Sequence, residues 1–229
     1  MRIFLLSLLL GSPALAQLCD QPFYPARPGW EWQYRVSGER PSTYSIHKTS
    51  ISDKSFVQVR QGPGGKEEIT YRCTPEGIAP VDFGTQGGGR LEAGAQPINY
   101  DLEVVRVSGV AIPDYERWAV GSSWRLVLEI RGNGQQGPLR FQVSGTLETT
   151  YRVVSQESVT TPAGRFVAYR LETTFVTRIR ANAGPLSLPF NFESQGTSWY
   201  AENVGLVKNI QKTREGEIVT ELVALRKGG

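Results

Sequence analysis

Apolar and polar side chains alternate along much of this chain, most regularly between residues 160 and 208. In a β-strand, a period of two places successive side chains on opposite faces of the sheet. One predicted face carries Val167, Tyr169, Leu171, Phe175 and Ile179, and the other carries Arg170, Glu172, Thr174, Arg178 and Arg180. We therefore predict the central hairpin of a sheet here, with Trp199 and Leu206 buried and Arg170 on the opposite face.

Shorter alternating runs predict further strands on both sides of this hairpin. They span residues 30–36, 43–48, 56–60, 67–73, 98–107, 124–130, 205–212 and 217–226. The longest predicted strand, Leu139 to Val153, is expected to bend where Gly145 falls on its apolar face. Gly132-Asn133-Gly134 is expected to form the hairpin turn before it. Because helical periodicity is missing after the N-terminus, we predict an all-β fold, a curled antiparallel sheet that closes into a barrel or sandwich.

Two weak similarities within the chain bear on its domain organisation. Gly29-x-x-Trp32 and Gly121-x-x-Trp124 each precede a predicted strand, and this echo is compatible with two similar β-meanders. The alternative is that glycine and aromatic residues simply mark the starts of strands. Residues 83–97 are rich in Gly, Ala and Gln and are expected to be a linker or long surface loop. We expect one all-β domain over 17–229, with sub-units 17–82 and 98–229 as the finer alternative.

The N-terminus has the features of an export signal. Arg2 precedes an apolar run over residues 3–10, and Ala14-Leu15-Ala16 provides a small-x-small cleavage pattern. We therefore expect a signal peptide at 1–16 and a mature chain without a transmembrane segment. Leu18 stands before Cys19, where lipoproteins have a small residue, so lipidation is not expected. The expected location is periplasmic or extracellular, in soluble form.

Cys19 and Cys73 are the two cysteines of the chain. In an oxidising compartment such a pair favours a disulfide bond. Metal binding is the weaker interpretation, because the chain lacks Cys-x-x-Cys spacing and has a single histidine, His47. We expect neither a metal nor a cofactor.

Charge and motifs argue against several classes of function. The 25 Lys and Arg residues are interspersed with 22 Asp and Glu residues and do not form a basic stripe. The charge pattern therefore argues against nucleic-acid binding. His47 has no Gly-x-Ser-x-Gly partner motif. Glu67 and Glu68 are adjacent, and in a strand they point to opposite faces. The sequence therefore indicates a protein without catalytic residues.

One apolar segment invites a functional interpretation. Leu186, Leu188, Phe190 and Phe192 occupy alternate positions, and Pro189 is unfavourable in a central strand. We predict an edge strand or a flap. Its side chains either pack into the core or cover the open mouth of the curled sheet and gate an apolar ligand.

Several motifs resemble a broad set of exported bacterial β-proteins and lipoproteins of unknown function. The resemblance is carried by Tyr24-Pro25, Gly29-x-x-Trp32-x-Tyr34, Pro162-Ala163-Gly164-x-Phe166 and Trp199-Tyr200-Ala201-x-x-Val204-Gly205-Leu206-Val207-Lys208. It implies a curled antiparallel envelope domain, for which Trp32, Trp124, Gly164, Trp199 and Gly205 are the expected structural positions. It brings no catalytic residues, and this chain departs from many relatives in lacking an acylated cysteine.

Two functions remain open from the sequence. The first is a noncatalytic envelope protein that binds an apolar or lipid-like ligand on its concave face. The second is a structural module with a packed core that meets another envelope protein through its edges or loops.

Overall fold

The all-β class is confirmed in the computed structural model, which describes residues 18–38, 40–84, 88–91, 98–213 and 216–228. A short 3-10 helix, Tyr115–Arg117, lies between two of the strands. The strands are β1 (Glu31–Ser37), β2 (Ser42–Thr49), β3 (Ser55–Gly62), β4 (Gly65–Thr74), β5 (Gly77–Pro80), β6 (Gly88–Leu91), β7 (Ile98–Gly109), β8 (Ile112–Pro113), β9 (Ser123–Gln136), β10 (Leu139–Thr161), β11 (Gly164–Ala183), β12 (Leu186–Ala201), β13 (Gly205–Thr213) and β14 (Gly216–Arg226).

All of these strands belong to one antiparallel sheet. Their order is β6-β7-β9-β10-β11-β12-β13-β14-β1-β2-β3-β4-β5-β8, so the first and last long strands of the chain pair in its middle. The sheet curls until its two ends approach each other between β7 and β8. There Val110 N–H donates to Arg125 O at 3.2 Å, and Ala111 N–H donates to Ile78 O at 2.8 Å. The strand ladder itself does not close.

The end of the sheet near this corner is filled by the N-terminal segment, residues 18–30. Cys19, Phe23 and Ala26 are buried there against side chains such as Trp124 and Leu171. The predicted disulfide between Cys19 and Cys73 is present, with a Cα–Cα distance of 5.2 Å. The segment before β1 is therefore part of the core.

The predicted turn at Gly132-Asn133-Gly134 is wrong. These residues lie inside β9, and the chain turns at Gly137 and Pro138 instead. The glycines serve a close approach of strands: a Cβ on Gly132 would overlap the carbonyl oxygen of Asp101, and one on Gly134 would overlap the ring of Phe141. Glycine inside a strand often marks such an approach.

The predicted bend of β10 at Gly145 stays a prediction. Gly145 lies on the apolar face, opposite Ile130 and Ile179, and the strand keeps its register there. The register shift that marks a bulge falls between Val153 and Ser155.

The predicted faces at the end of the central hairpin are wrong as well. Arg170 lies directly opposite Trp199, so the two side chains share a face. A register shift between Trp199 and Tyr200 then pairs Tyr200 with Leu206 on the other face. Such a one-residue shift exchanges the faces of all following side chains.

Part of the glycine-rich segment 83–97 forms a strand. β6 pairs with β7 and is the last strand at one end of the sheet order. Residues 85–87 and 92–97 lie outside the described residues, so the prediction of a linker stays open there. The single domain and its two sub-units remain predictions.

Candidate ligand-binding groove

An apolar surface lies where the first residues of β7, β10 and β12 meet the last residues of β9 and β11; we call these parts the distal halves of the strands. Its side chains lie opposite one another on neighbouring strands. We call the face that carries them the inner face. Opposed residues of antiparallel strands lie side by side on one face, and here they form three rows. The rows are Tyr100, Gly134, Phe141, Ala183 and Leu186; then Leu102, Gly132, Val143, Ala181 and Leu188; then Val104, Ile130, Gly145, Ile179 and Phe190.

These rows line a groove of about 490 Å³. Phe83, Ile98, Leu139 and Leu147 complete its apolar lining, and Gln136 is the main polar side chain there. A groove of this size and character lies within the range of small-molecule sites in proteins. It is large enough for an apolar ligand.

Glycines on the inner face allow close approach of neighbouring strands beside the groove. A Cβ on Gly132 or Gly145 would overlap the carbonyl oxygen of Asp101 or Arg178. The Phe141 ring lies over Gly134 and lines the groove. Sequence reasoning placed Gly132 and Gly134 at a turn and missed this role in strand approach.

The predicted flap residues form one wall of this groove. Leu186, Leu188 and Phe190 line it, with exposures of 62%, 56% and 55%, and Phe192 beside them is 50% exposed. Apolar side chains this exposed are not core, although their strand is well paired with β11. Their role as a gate remains a prediction.

The strand that carries this wall has a free edge. β12 pairs with β11 along its whole length, but its pairing with β13 begins only at Gly196. Among the described strands, residues 186–195 therefore have one neighbour, an arrangement that tolerates Pro189, which lacks a backbone N–H.

The groove continues into a polar notch at this free edge. The notch, a cavity of about 1150 Å³, lies between the edge of β12 and the end of β13. It is lined by side chains such as Thr149, Thr173, Ser194, Gln195 and Gln211. The inner face thus changes from apolar to polar along the same strands.

Beyond the notch, the inner face is rich in buried and half-buried tyrosines around the buried amine of Lys48. Lys48 is 6% exposed, and its Nζ donates to Pro25 O at 2.7 Å and to Tyr24 O at 3.2 Å while lying 3.4 Å from the centre of the Tyr24 ring. Burial lowers the pKa of Lys48 well below its usual range. Since both acceptors belong to the N-terminal segment, Lys48 holds that segment inside the sheet. Sequence reasoning missed this residue.

Burial also raises the pKa values of six tyrosines on this face. The pKa of Tyr151 rises to about 12. Those of Tyr24, Tyr34, Tyr44, Tyr71 and Tyr200 are also raised by burial.

These shifts predict a loss of stability in alkali. Tyrosines of the unfolded chain ionise near pH 10, whereas the buried ones keep their protons, so their contribution is complete below pH 10 and is lost as the pH rises toward 12. The lowered pKa of Lys48 acts oppositely, adding stability as the pH rises toward 10.5, but it is one group against six. We expect most of the phenolate absorbance to appear in one steep step together with the loss of native circular dichroism, because six of the nine tyrosines have raised pKa values. Ionisation of most of the nine tyrosines while the circular dichroism stays native would contradict the burial.

The predicted structural positions surround the N-terminal segment. The indole N–H of Trp32 donates to Val204 O at 2.6 Å, and Asn203 N–H donates to Pro22 O at 2.7 Å. Gly205, buried with a φ of 93°, lies against Phe23 and Pro25. The motif from Trp199 to Lys208 therefore has a structural explanation, because it contains the turn between β12 and β13 that contacts residues 22–25 and β1.

The remaining predicted positions make other contacts. Trp124 donates its indole N–H to Ala111 O at 3.1 Å, and the Trp199 indole N–H donates to Glu157 Oε1 at 2.8 Å. Gly164, with a φ of 136°, follows the turn between β10 and β11. None of these residues lines the groove.

The outer face of the distal strands is charged rather than apolar. Cross-strand ion pairs join Glu103 to Arg131 and Arg106 to Glu129, and Glu148 lies between Arg125 and Arg178. Exposed pairs of this kind contribute little to stability. They show which face of the distal strands is adapted to water, and they set the apolar inner face apart.

Among the residues that the structure describes, His, Cys, Asp and Glu side chains do not gather in a group of three or more that could hold a metal ion. No helix in the described part of the chain is long and apolar enough to cross a membrane.

A protein-family model matches part of the chain. The DUF3108-like family matches residues 142–223, which include β11 to β13 and most of β10 and β14. No curated protein is significantly similar to the chain.

Similar solved structures are proteins of low sequence identity. A Bacteroides fragilis protein described as exported, with a YmcC-like fold, is 15% identical, with a TM-score of 0.44 over 90% of this chain and 100% of that one. A Parabacteroides distasonis protein described as a lipoprotein is 17% identical, with a TM-score of 0.47 over 90% and 99%. The hypothetical lipoprotein YmcC of Escherichia coli is 10% identical, with a TM-score of 0.35 over 89% of each chain. Bacterial exported proteins and lipoproteins are thus among the proteins that this chain is similar to.

Proposed function

We propose that this protein is a noncatalytic binding protein of the bacterial cell envelope that holds an apolar or lipid-like ligand in the groove. The observation that carries the proposal is the wall formed by Leu186, Leu188 and Phe190, which are more than half exposed and face an apolar floor. Soluble proteins rarely expose contiguous apolar surface without a partner for it. A bound acyl chain would remove this surface from water.

The location is supported by two features of the chain. Its N-terminus has the charge, apolar run and small residues of an export signal. The disulfide between Cys19 and Cys73 suits an oxidising compartment outside the cytoplasm. Both features fit a periplasmic or extracellular protein.

The noncatalytic character is supported by the chemistry of the groove. Its lining consists of aliphatic and aromatic side chains with Gln136 and the Tyr100 hydroxyl as polar additions. Such a lining binds apolar matter but offers no acid, base and nucleophile in contact with one another.

The proposal predicts a loss of affinity without a loss of stability. Replacing both Leu188 and Phe190 by serine should weaken binding of a fluorescent fatty acid by about tenfold or more, because each side chain buries apolar area on the ligand. The free energy of unfolding should change by less than about 1 kcal/mol, since both side chains are already more than half exposed. Fluorescence titration and urea melts measure the two quantities.

Arg180→Ser provides the matched control. Arg180 lies opposite Pro189 in the same hairpin but on the outer face, so this variant should bind the fatty acid like the unmodified protein. Equal loss of affinity in both variants would contradict the assignment of the groove. A large drop in stability in the Leu188 and Phe190 variant alone would show that these residues belong to the core.

A second function is favoured by the free edge of β12. Within the part of the chain that the structure describes, residues 186–195 pair with β11 alone, so an extended peptide from another envelope protein could add there as a further strand. Native mass spectrometry of protein purified from its own host distinguishes the two. A copurified lipid supports the groove, and a copurified polypeptide supports the interaction module.

A further inference from the structure

The inner face of β12 changes character abruptly along its length. From the free end inward, the residues on this face are Leu186, Leu188, Phe190, Phe192, Ser194, Gly196 and Ser198. Four large apolar side chains are thus followed by three small or hydroxyl-bearing residues. The change falls between Phe192 and Ser194.

The neighbouring strands change at the same level. Thr149 and Thr173 lie on the inner faces of β10 and β11 in the rows that contain Ser194 and Gly196. On the other side, Gln211 lies opposite Gly196 and Asn209 lies opposite Ser198. These polar residues line the notch as a patch, together with the Phe175 ring, which lies between Thr149 and Ser194, and they adjoin the apolar end of β12 at Phe192.

The chemistry of this patch is uncharged. Most of its side chains are hydroxyls and amides, which both donate and accept hydrogen bonds. The charged side chains among the described residues that line the notch are Glu193 and Lys212, which have opposite signs and are both exposed. Binding of a carboxylate or phosphate head typically uses charge-assisted hydrogen bonds from arginine or lysine. A head with several hydroxyl groups matches the patch better.

We propose that the ligand is amphipathic, with an apolar chain in the groove and an uncharged, multiply hydroxylated head, such as a sugar or glycerol group, in the notch. This inference rests on the proposed function, because it assumes that the groove takes an apolar chain. It adds the chemical class of the head and the direction in which the ligand lies along β12. The head meets Ser194, Gln195 and Gln211, while the chain runs outward past Phe190 to Leu186.

The experiment compares heads on a constant chain. Calorimetric titrations would use decyl maltoside, decanoate and decyltrimethylammonium, each kept below the concentration at which it forms micelles. We expect the maltoside to bind at least about tenfold more tightly than either ion, since a charged head loses water in the notch and meets there only the exposed Glu193 and Lys212, whose charges oppose each other.

Paired variants separate the head from the chain. Ser194→Val combined with Gln211→Leu should abolish the preference for the maltoside and leave the affinity for decanoate within about twofold. Gln142→Leu, an exposed amide on the outer face of β10, is the control and should preserve the preference.

The possible outcomes distinguish the two levels of the proposal. Equal affinities for all three compounds, or tighter binding of an ion, would overturn the proposed head while the groove stands. Binding of none of them would overturn the proposed function itself. A preference for the maltoside that persists in the Ser194 and Gln211 variant would overturn the notch as its site.

Discussion

Replacing Cys19 and Cys73 together by alanine is expected to lower the free energy of unfolding by about 4 kcal/mol. The two cysteines are 54 residues apart, so their bond removes much conformational freedom from the unfolded chain. It also joins the N-terminal segment to β4, where both cysteines are nearly inaccessible to water. Urea melts of the variant and of the unmodified protein, at equal pH and salt concentration, measure the difference.

Ligand binding should survive this change. The disulfide lies near Leu171 in the core, and the groove lies near Ala183 at the other end of β11. At about 3.3 Å per residue, the two sites are roughly 40 Å apart along the strand. We therefore expect the double variant to bind a fluorescent fatty acid normally at a temperature where it remains folded. Lost binding by a folded variant would show that the N-terminal segment shapes the groove.

Trp124→Ala is expected to lower the free energy of unfolding by about 3 to 5 kcal/mol. Trp124 is 5% exposed, and its ring lies 5.5 Å from that of Tyr151 and 5.4 Å from that of Trp118. Its indole N–H donates to Ala111 O, in the short segment whose backbone contacts both ends of the sheet. The truncation therefore leaves a cavity and an unpaired carbonyl at the corner where the sheet ends meet.

Trp124→Phe separates these two contributions. Phenylalanine keeps most of the ring packing but cannot donate to Ala111 O, so we expect a cost of about 1 to 3 kcal/mol. Trp32→Phe provides a comparison, because the Trp32 indole N–H donates to Val204 O in another buried cluster. Thermal and urea melts of the three variants test the ranking. A cost below about 1 kcal/mol for Trp124→Ala would contradict a packed corner.

The central hairpin shows how far a local pattern determines structure. Alternation correctly predicted strands over most of their lengths, because the faces of a strand follow from its backbone geometry. It gave the wrong relation between Arg170 and Trp199, because the register of β11 with β12 places them opposite each other. It also put Trp199 and Leu206 on one face, although a register shift between β12 and β13 separates them. A bulge depends on pairing with another strand and has only a weak signal in the sequence.

The glycines of β9 show the same limit from the other side. Gly132-Asn133-Gly134 has the composition of a turn, and local reasoning placed one there. In the fold the two glycines permit the approach of Asp101 and Phe141 from neighbouring strands. This role could not be predicted locally, because it depends on which strands lie beside β9.

The amino-acid sequence by itself determined the strand class and the pairing of Cys19 with Cys73. These properties follow from a period of two and from having two cysteines. Only the tertiary structure decided how far β9 and β10 extend, that Leu186, Leu188 and Phe190 stand exposed beside an apolar floor, and that Lys48 is buried beneath the N-terminal segment. The physical reason is that a groove is made by cross-strand neighbours, and the order in which strands pair is set by the whole sheet.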